Sequence, residues 1–238
     1  MKKNDLDKVF KAIEHVRVRF PLVFNISKKF VPSPLTAKIS LATGIKQYET
    51  FVESKMGPRL HEGHVFLDVG AFVGYYSIYA SKKVGRAGIV VAIEPEPKNF
   101  KMLLINTRGL ENVIPINAAL WSKDGTVSLI PQGSSTKSFE NKVEKYIQVR
   151  AFTLDTLIKK LNIPRVDAIK IDTEGAELEV LKGARQTLKK QLKFASVEIH
   201  GSNSKELENK SRKVVKILKQ NKLRVERPIP KFVFGSIE

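Results

Sequence analysis

Short β-rich runs alternate with helix-length segments from residue 64 to the end of the chain, and this alternation constrains the fold more than any other feature. Parallel neighbouring strands need a crossover that a helix supplies, so the pattern reads as βαβ units on a mostly parallel sheet. Strand candidates are His64 to Val69, Gly88 to Glu94, Val113 to Asn117, Val166 to Ile171 and Phe194 to Ile199. Each is rich in apolar residues, as strands covered on both faces must be. Helical patterns fall at Tyr75 to Lys83, Asn99 to Arg108, Ala176 to Leu181 and Ser204 to Lys219, the last with Leu207, Val214, Val215, Ile217 and Leu218 set among Lys and Glu. Lys222 to Glu226 and Lys231 to Phe234, parted by Pro228 and Pro230, read as two closing strands. Gly125 to Ile130 and Tyr146 to Ala151 flank a polar stretch and form an excursion expected to shape a substrate side.

The first sixty residues differ. Phe10, Ile13, Val16 and Phe20 form one helical stripe before Pro21, and Pro32 and Pro34 break the chain again. A helical N-terminal extension over 1–60 and an α/β domain over 61–238 are the expected organisation. The 238 residues are 42% apolar, enough for a sizeable core, and contain no cysteine, which excludes a disulfide framework, a thiolate nucleophile and sulfur-ligated zinc. No apolar run approaches the roughly 20 residues that span a bilayer, and Met1 to Asp7 has no signal-peptide pattern, so a cytoplasmic protein is expected. A net charge of +18 brings nucleic acid into consideration as a partner. The lysines are spread along the chain, however, and no nucleic-acid-binding module is visible, which favours a solvated basic surface.

Val65 to Gly74 is a strand running into a tight turn and then a helix. Gly70 and Gly74 let backbone approach a ligand at the strand's C-terminal edge, where open α/β sheets bind ligands. The dinucleotide pattern Gly-x-Gly-x-x-Gly is not met, since Phe72 replaces its second glycine and Gly74 falls one residue early, and no P-loop Gly-Lys-Ser/Thr follows. Asp68 precedes the glycines, where a carboxylate would repel phosphate and attract a cation or accept hydrogen bonds. S-adenosylmethionine meets those demands, carrying an ammonium, a sulfonium and ribose hydroxyls but no phosphate. Glu94, twenty residues beyond Gly74 at the end of the second strand, can take both ribose hydroxyls.

These residues resemble the FkbM family of S-adenosylmethionine-dependent methyltransferases. The resemblance runs through Tyr48-Glu49, Leu67 to Ala71, Gly74 to Ser77, Glu94 to Phe100, Asn117 to Leu120, Asp124-Gly125 and Thr153 to Asp155. It continues in Asp167 to Glu177, the most specific block, then in Val180 to Ala184 and Val197 to His200. Where the family usually has Asn after Gly-Ala, this chain has Phe72, which affects one cofactor-side polar contact and leaves the backbone turn. The resemblance implies a Rossmann-like class I methyltransferase sheet: α/β, mostly parallel and seven-stranded, with an antiparallel last strand. It also implies O-methylation of a sugar or small metabolite. Asp68, Gly70 and Gly74 would form the methionine side, Glu94 the ribose clamp, and Asn117 and Ala118 would lie beside adenine, with Ala71, Phe72, Tyr75 and Pro95 completing the pocket.

A hydroxyl acceptor must lose its proton as the methyl arrives. Lys170 and Asp172 point to one face of the fourth strand, Asp172 and Glu174 lie at its C-terminal end, and Glu198 and His200 repeat the arrangement on the fifth. The expected catalytic residues are therefore Asp172, His200 and Glu174, with His200 a suitable general base. A competing reading gives Asp172, Glu198 and His200 to one Mg²⁺ or Mn²⁺ that acidifies the hydroxyl, and another leaves all of them structural. An RNA methyltransferase is the alternative function. It is motivated by the charge and opposed by the lack of an Asn-Pro-Pro-aromatic turn after the fourth strand.

Overall fold

Runs such as Val65–Val69, Ile89–Ile93 and Ala168–Ile171 are buried at every position, which β-branched residues tolerate well on a sheet covered from both sides. The computed structural model describes residues 45–130, 146–190 and 192–237. Most of the expected N-terminal extension lies outside them, its described part being helix α1 (Ile45–Met56) and a 3₁₀ turn at Gly57–Arg59. In chain order there follow β1 (Val65–Val69), α2 (Tyr75–Val84), β2 (Ile89–Ile93), α3 (Pro97–Asn106), β3 (Val113–Ile116), β4 (Ala119–Leu120), β5 (Gly125–Leu129) and β6 (Ile147–Phe152). Then come α4 (Leu154–Lys160), β7 (Ala168–Ile171), α5 (Glu177–Lys182), α6 (Arg185–Lys189), β8 (Phe194–Glu198), α7 (Ser204–Gln220), β9 (Arg224–Ile229) and β10 (Phe232–Ser236).

Seven strands form the main sheet in the order β3-β2-β1-β7-β8-β10-β9, and β10 runs antiparallel to both its neighbours. The α/β class, the seven strands and the reversed last strand are those the sequence leads one to expect. Chain direction across the sheet reverses beside β1, whose neighbours are β2 and β7. Such a switch point opens a crevice at the C-terminal strand ends. Alternate side chains divide the core into two layers: Val65, Leu67 and Val69 meet the side of α4 to α7, while Phe66 meets that of α1 to α3.

The excursion is a second sheet of three strands in the order β4-β6-β5. Residues 131–145 between its last two strands are outside the described set. Three short elements had no expectation: β4, α4 and α6. Helix α4 is capped by Thr153, whose hydroxyl accepts from the Thr156 amide at 3.1 Å. Asp155 caps α6 across the fold, accepting the amides of Gln186 and Thr187 at 2.8 Å each. Strand β9 begins later than expected and runs through Pro228; it is the sheet's edge, where a missing amide donor leaves no ladder bond broken. Among the described residues, no helix is long and apolar enough to cross a membrane.

Candidate active site

The turn after β1 is held by its own backbone. The Gly70 and Ala71 amides donate to the Ile93 carbonyl at 2.9 and 3.0 Å, and Gly70, Phe72 and Gly74 adopt positive φ of 78°, 50° and 95°. Gly70 is required twice over. A Cβ there would stand 1.7 Å from the carbonyl oxygen of Asp172, so the tip of β1 and the end of β7 touch through a position only glycine can fill. Phe72 is half exposed and holds a left-handed conformation unusual for a large residue.

Asp68 lies inside the sheet and is fully buried. Its Oδ2 accepts from Ser77 Oγ at 2.6 Å, Lys170 Nζ is 3.9 Å from Oδ1, and Oδ1 has no hydrogen-bond partner. Burial pushes its pKa up, with Lys170 and Ser77 opposing. Lys170 is the register partner of Asp68 on β7; its Nζ donates to Asp172 Oδ2 at 3.0 Å and lies 4.7 Å from the centre of the Tyr76 ring. Burial works to lower the Lys170 pKa, but Asp172 and Asp68 outweigh it and leave it raised.

Glu94, also buried, accepts the Phe72 amide on Oε2 and the Glu96 amide on Oε1, both at 2.9 Å. Burial pushes its pKa up to about 7 against those two bonds. Asn117 donates to the carbonyls of Glu94 and Pro95 at 2.8 and 3.1 Å, so its amide holds the end of β2, and Ala118 is buried beside it. Tyr75 is turned toward α1, donating to Glu53 at 2.7 Å.

At the ends of β7 and β8 the expected catalytic residues converge. Three carboxylates face His200 Nε2: Glu174 at 3.5 Å, Glu198 at 3.7 Å and Asp172 at 3.8 Å. Glu177 Oε1 lies 2.9 Å from Nδ1. Burial works to lower the His200 pKa, but Glu177, Glu174 and Asp172 outweigh it, leaving it raised. One ligand atom from each of Asp172, Glu174 and His200 falls within 4.8 Å of the others, close enough to share a cation. Glu198, the third member of the metal set expected from sequence, is otherwise engaged, since its Oε1 is 2.5 Å from Lys231 Nζ. Two residues at this end received no role from sequence. Lys170 was visible only as a polar residue in an apolar strand, and Glu177 only as part of the Asp167 to Glu177 block.

The family model described as Methyltransferase FkbM domain matches residues 68–225, which contain every residue of this cluster. The chain belongs to the FkbM methyltransferase family. It is similar to the hexuronic acid methyltransferase AglP of Haloferax volcanii, with 32% identity over 168 residues covering 69% of this chain and 65% of that protein. It is also similar to methyltransferase sdnD of Sordaria araneosa, with 32% identity over 154 residues, 49% of this chain and 59% of that one. The FkbM chain described here thus spans less than two-thirds of the length of either relative. A solved FkbM methyltransferase from Methylobacillus flagellatus KT has a TM-score of 0.48 at 17% identity, covering 73% of this chain and 43% of that one. A solved S-adenosylmethionine-dependent methyltransferase from Aquifex aeolicus has a TM-score of 0.41 at 26% identity, covering 74% and 82%.

Proposed function

We propose that the chain transfers the methyl group of S-adenosylmethionine to a hydroxyl of a sugar or small metabolite. The observation that carries this reading is the contact of Gly70 with the Asp172 carbonyl, which sets the glycine turn directly against the Asp172, Glu174 and His200 cluster. The residues fit the cofactor. Glu94 ends β2 with acceptor oxygens for a diol, and the turn lacks the lysine and serine of a phosphate loop. The Asp68 carboxylate is fully buried against Ser77 and Lys170, so it does not itself touch a ligand. Bound S-adenosylmethionine supplies an electrophilic methyl on a sulfonium. The protein's own part is to align the acceptor oxygen and receive its proton, for which His200 Nε2 lies beside Asp172 and Glu174, which together with Glu177 favour positive charge on the ring.

A sugar acceptor is supported by the printed name of the hexuronic acid methyltransferase to which the chain is similar. The test is transfer of labelled methyl from S-adenosylmethionine to fractionated sugars, glycans, metabolites and RNA. His200→Ala is expected to lower transfer by roughly 10² to 10⁴ while leaving S-adenosylhomocysteine affinity unchanged. Loss of turnover in EDTA, restored by Mg²⁺ or Mn²⁺, would reassign Asp172, Glu174 and His200 to holding a divalent cation. Intact turnover in His200→Ala would remove the base from the reading.

A further inference from the structure

Glu177 opens helix α5 with 1% of its surface exposed, an unusual depth for a carboxylate in the first turn of a six-residue helix. Its Oε1 accepts the Gly175 amide at 2.8 Å and faces His200 Nδ1 at 2.9 Å, while Oε2 is buried with no partner. Satisfying the Gly175 amide alone would not require a carboxylate sunk so far, since an exposed acceptor serves a helix start as well. What the burial adds is the imidazole contact.

We propose that Glu177 is the positioning residue of the acceptor site, holding His200 in the tautomer that carries its proton on Nδ1 and leaves the Nε2 lone pair open to the crevice. Distances decide between the two tautomers. At 2.9 Å the Nδ1 contact is a full hydrogen bond, whereas the carboxylates of Asp172, Glu174 and Glu198 stand 3.5 to 3.8 Å from Nε2, too far to bind a proton there firmly. The backbone is pinned as well, because Lys210 on α7 donates to the His200 carbonyl at 2.8 Å and is itself paired with Glu206. Of the other cations at this end, Lys231 pairs with Glu198 and Lys170 with Asp172, so neither competes for Glu177.

The proposal rests on the methyl-transfer reading with His200 as base. In that step the acceptor O–H bond breaks and its proton passes to Nε2, the O–CH₃ bond forms, and the CH₃–S bond breaks with its electron pair going to sulfur. The imidazolium left behind is bonded through Nδ1–H to Glu177, and the proton leaves later to solvent. An Nε2–H tautomer would have no lone pair at the reacting position, and a wrong tautomer in a carboxylate–histidine pair costs on the order of 10⁴ in rate elsewhere.

The test is long-range ¹H–¹⁵N correlation of the His200 ring in the full ¹⁵N-labelled chain, read at a pH above the raised pKa of the ring, where its neutral form distinguishes protonated from lone-pair nitrogen without an acceptor substrate. Wild type is expected to show the proton on Nδ1. Glu177→Gln keeps an acceptor oxygen and is expected to keep that tautomer. Glu177→Leu removes it and is expected to shift the ring toward Nε2–H and to lower methyl transfer at least tenfold, with S-adenosylhomocysteine affinity unchanged. A neutral wild-type ring protonated on Nε2, or an unchanged ring in a folded Glu177→Leu protein, overturns the proposal. If Glu177→Leu does not fold, the wild-type tautomer still decides it. Intact turnover in His200→Ala would instead defeat the base reading while leaving the tautomer assignment standing.

Discussion

A carboxyl group with a pKa near neutrality at the end of β2 gives cofactor binding a pH dependence of definite sign. Glu94 titrates at about 7 because burial disfavours its charged form. Ribose hydroxyls donate to the ionised carboxylate, so S-adenosylmethionine affinity should rise with pH through that value, by about tenfold between pH 6 and pH 8. In Glu94→Ala this component should vanish, and subtracting the two profiles cancels the ligand's own ionisation. Calorimetry giving parallel profiles for the two proteins would take Glu94 out of the ribose role. The side-chain types at this scale were legible from sequence: Asp68, Glu94, Asp172 and His200 stand out because acids and a histidine end apolar strands. Their depth was not. Whether a carboxylate faces a ligand or the core depends on side chains far away in sequence, as Ser77 and Lys170 enclose Asp68 and the Phe72 amide engages Glu94. Glu177 was hidden for the same reason, since its partner His200 lies 23 residues on in another element.

Between elements, the junction that matters most is the one at Gly70. Its φ of 78° alone would penalise alanine by roughly 1 to 2 kcal/mol, and the added Cβ must also push the Asp172 carbonyl away. Gly63 is a built-in control, with the same φ of 78° and nothing within 4 Å of the corresponding Cβ. Urea unfolding of Gly63→Ala should therefore show only the conformational penalty, and Gly70→Ala a clearly larger loss together with loss of S-adenosylhomocysteine binding. Equal losses would mean that the approach of β1 to β7 places no demand on this position. Strands β1, β2, β3, β7 and β8 were legible because continuous apolar runs leave few alternatives, and α7 because its stripe is long. Elements β4, α4 and α6 were not, being two, seven and five residues long, too short for periodicity to register. They are fixed instead by tertiary partners, such as Asp155 reaching the amides of α6.

Over the whole molecule, the charge of +18 meets a site of the opposite character. Among the described residues, exposed lysines sit on the outer faces of several helices, including Lys82 and Lys83 on α2, Lys98 and Lys101 on α3, Lys159 and Lys160 on α4, and Lys213, Lys216 and Lys219 on α7. At the strand ends, by contrast, Asp172, Glu174, Glu177 and Glu198 surround His200. Positive charge distributed over these helix faces and screened over about 8 Å at physiological salt attracts polyanions loosely without aiming them at the crevice. Single-stranded RNA is therefore expected to bind weakly at low salt, with each neutralised phosphate contributing a slope of about −0.7 in log affinity against log salt, and to be largely released at physiological ionic strength. Because that binding is peripheral, a saturating amount of RNA at low salt should leave S-adenosylhomocysteine affinity unchanged. Fluorescence anisotropy with labelled tRNA and rRNA fragments measures the first quantity, and calorimetry in the presence of RNA the second. A nanomolar complex that persists at physiological salt and alters cofactor affinity would place nucleic acid in the crevice. It would also make RNA, rather than a sugar hydroxyl, the acceptor to pursue.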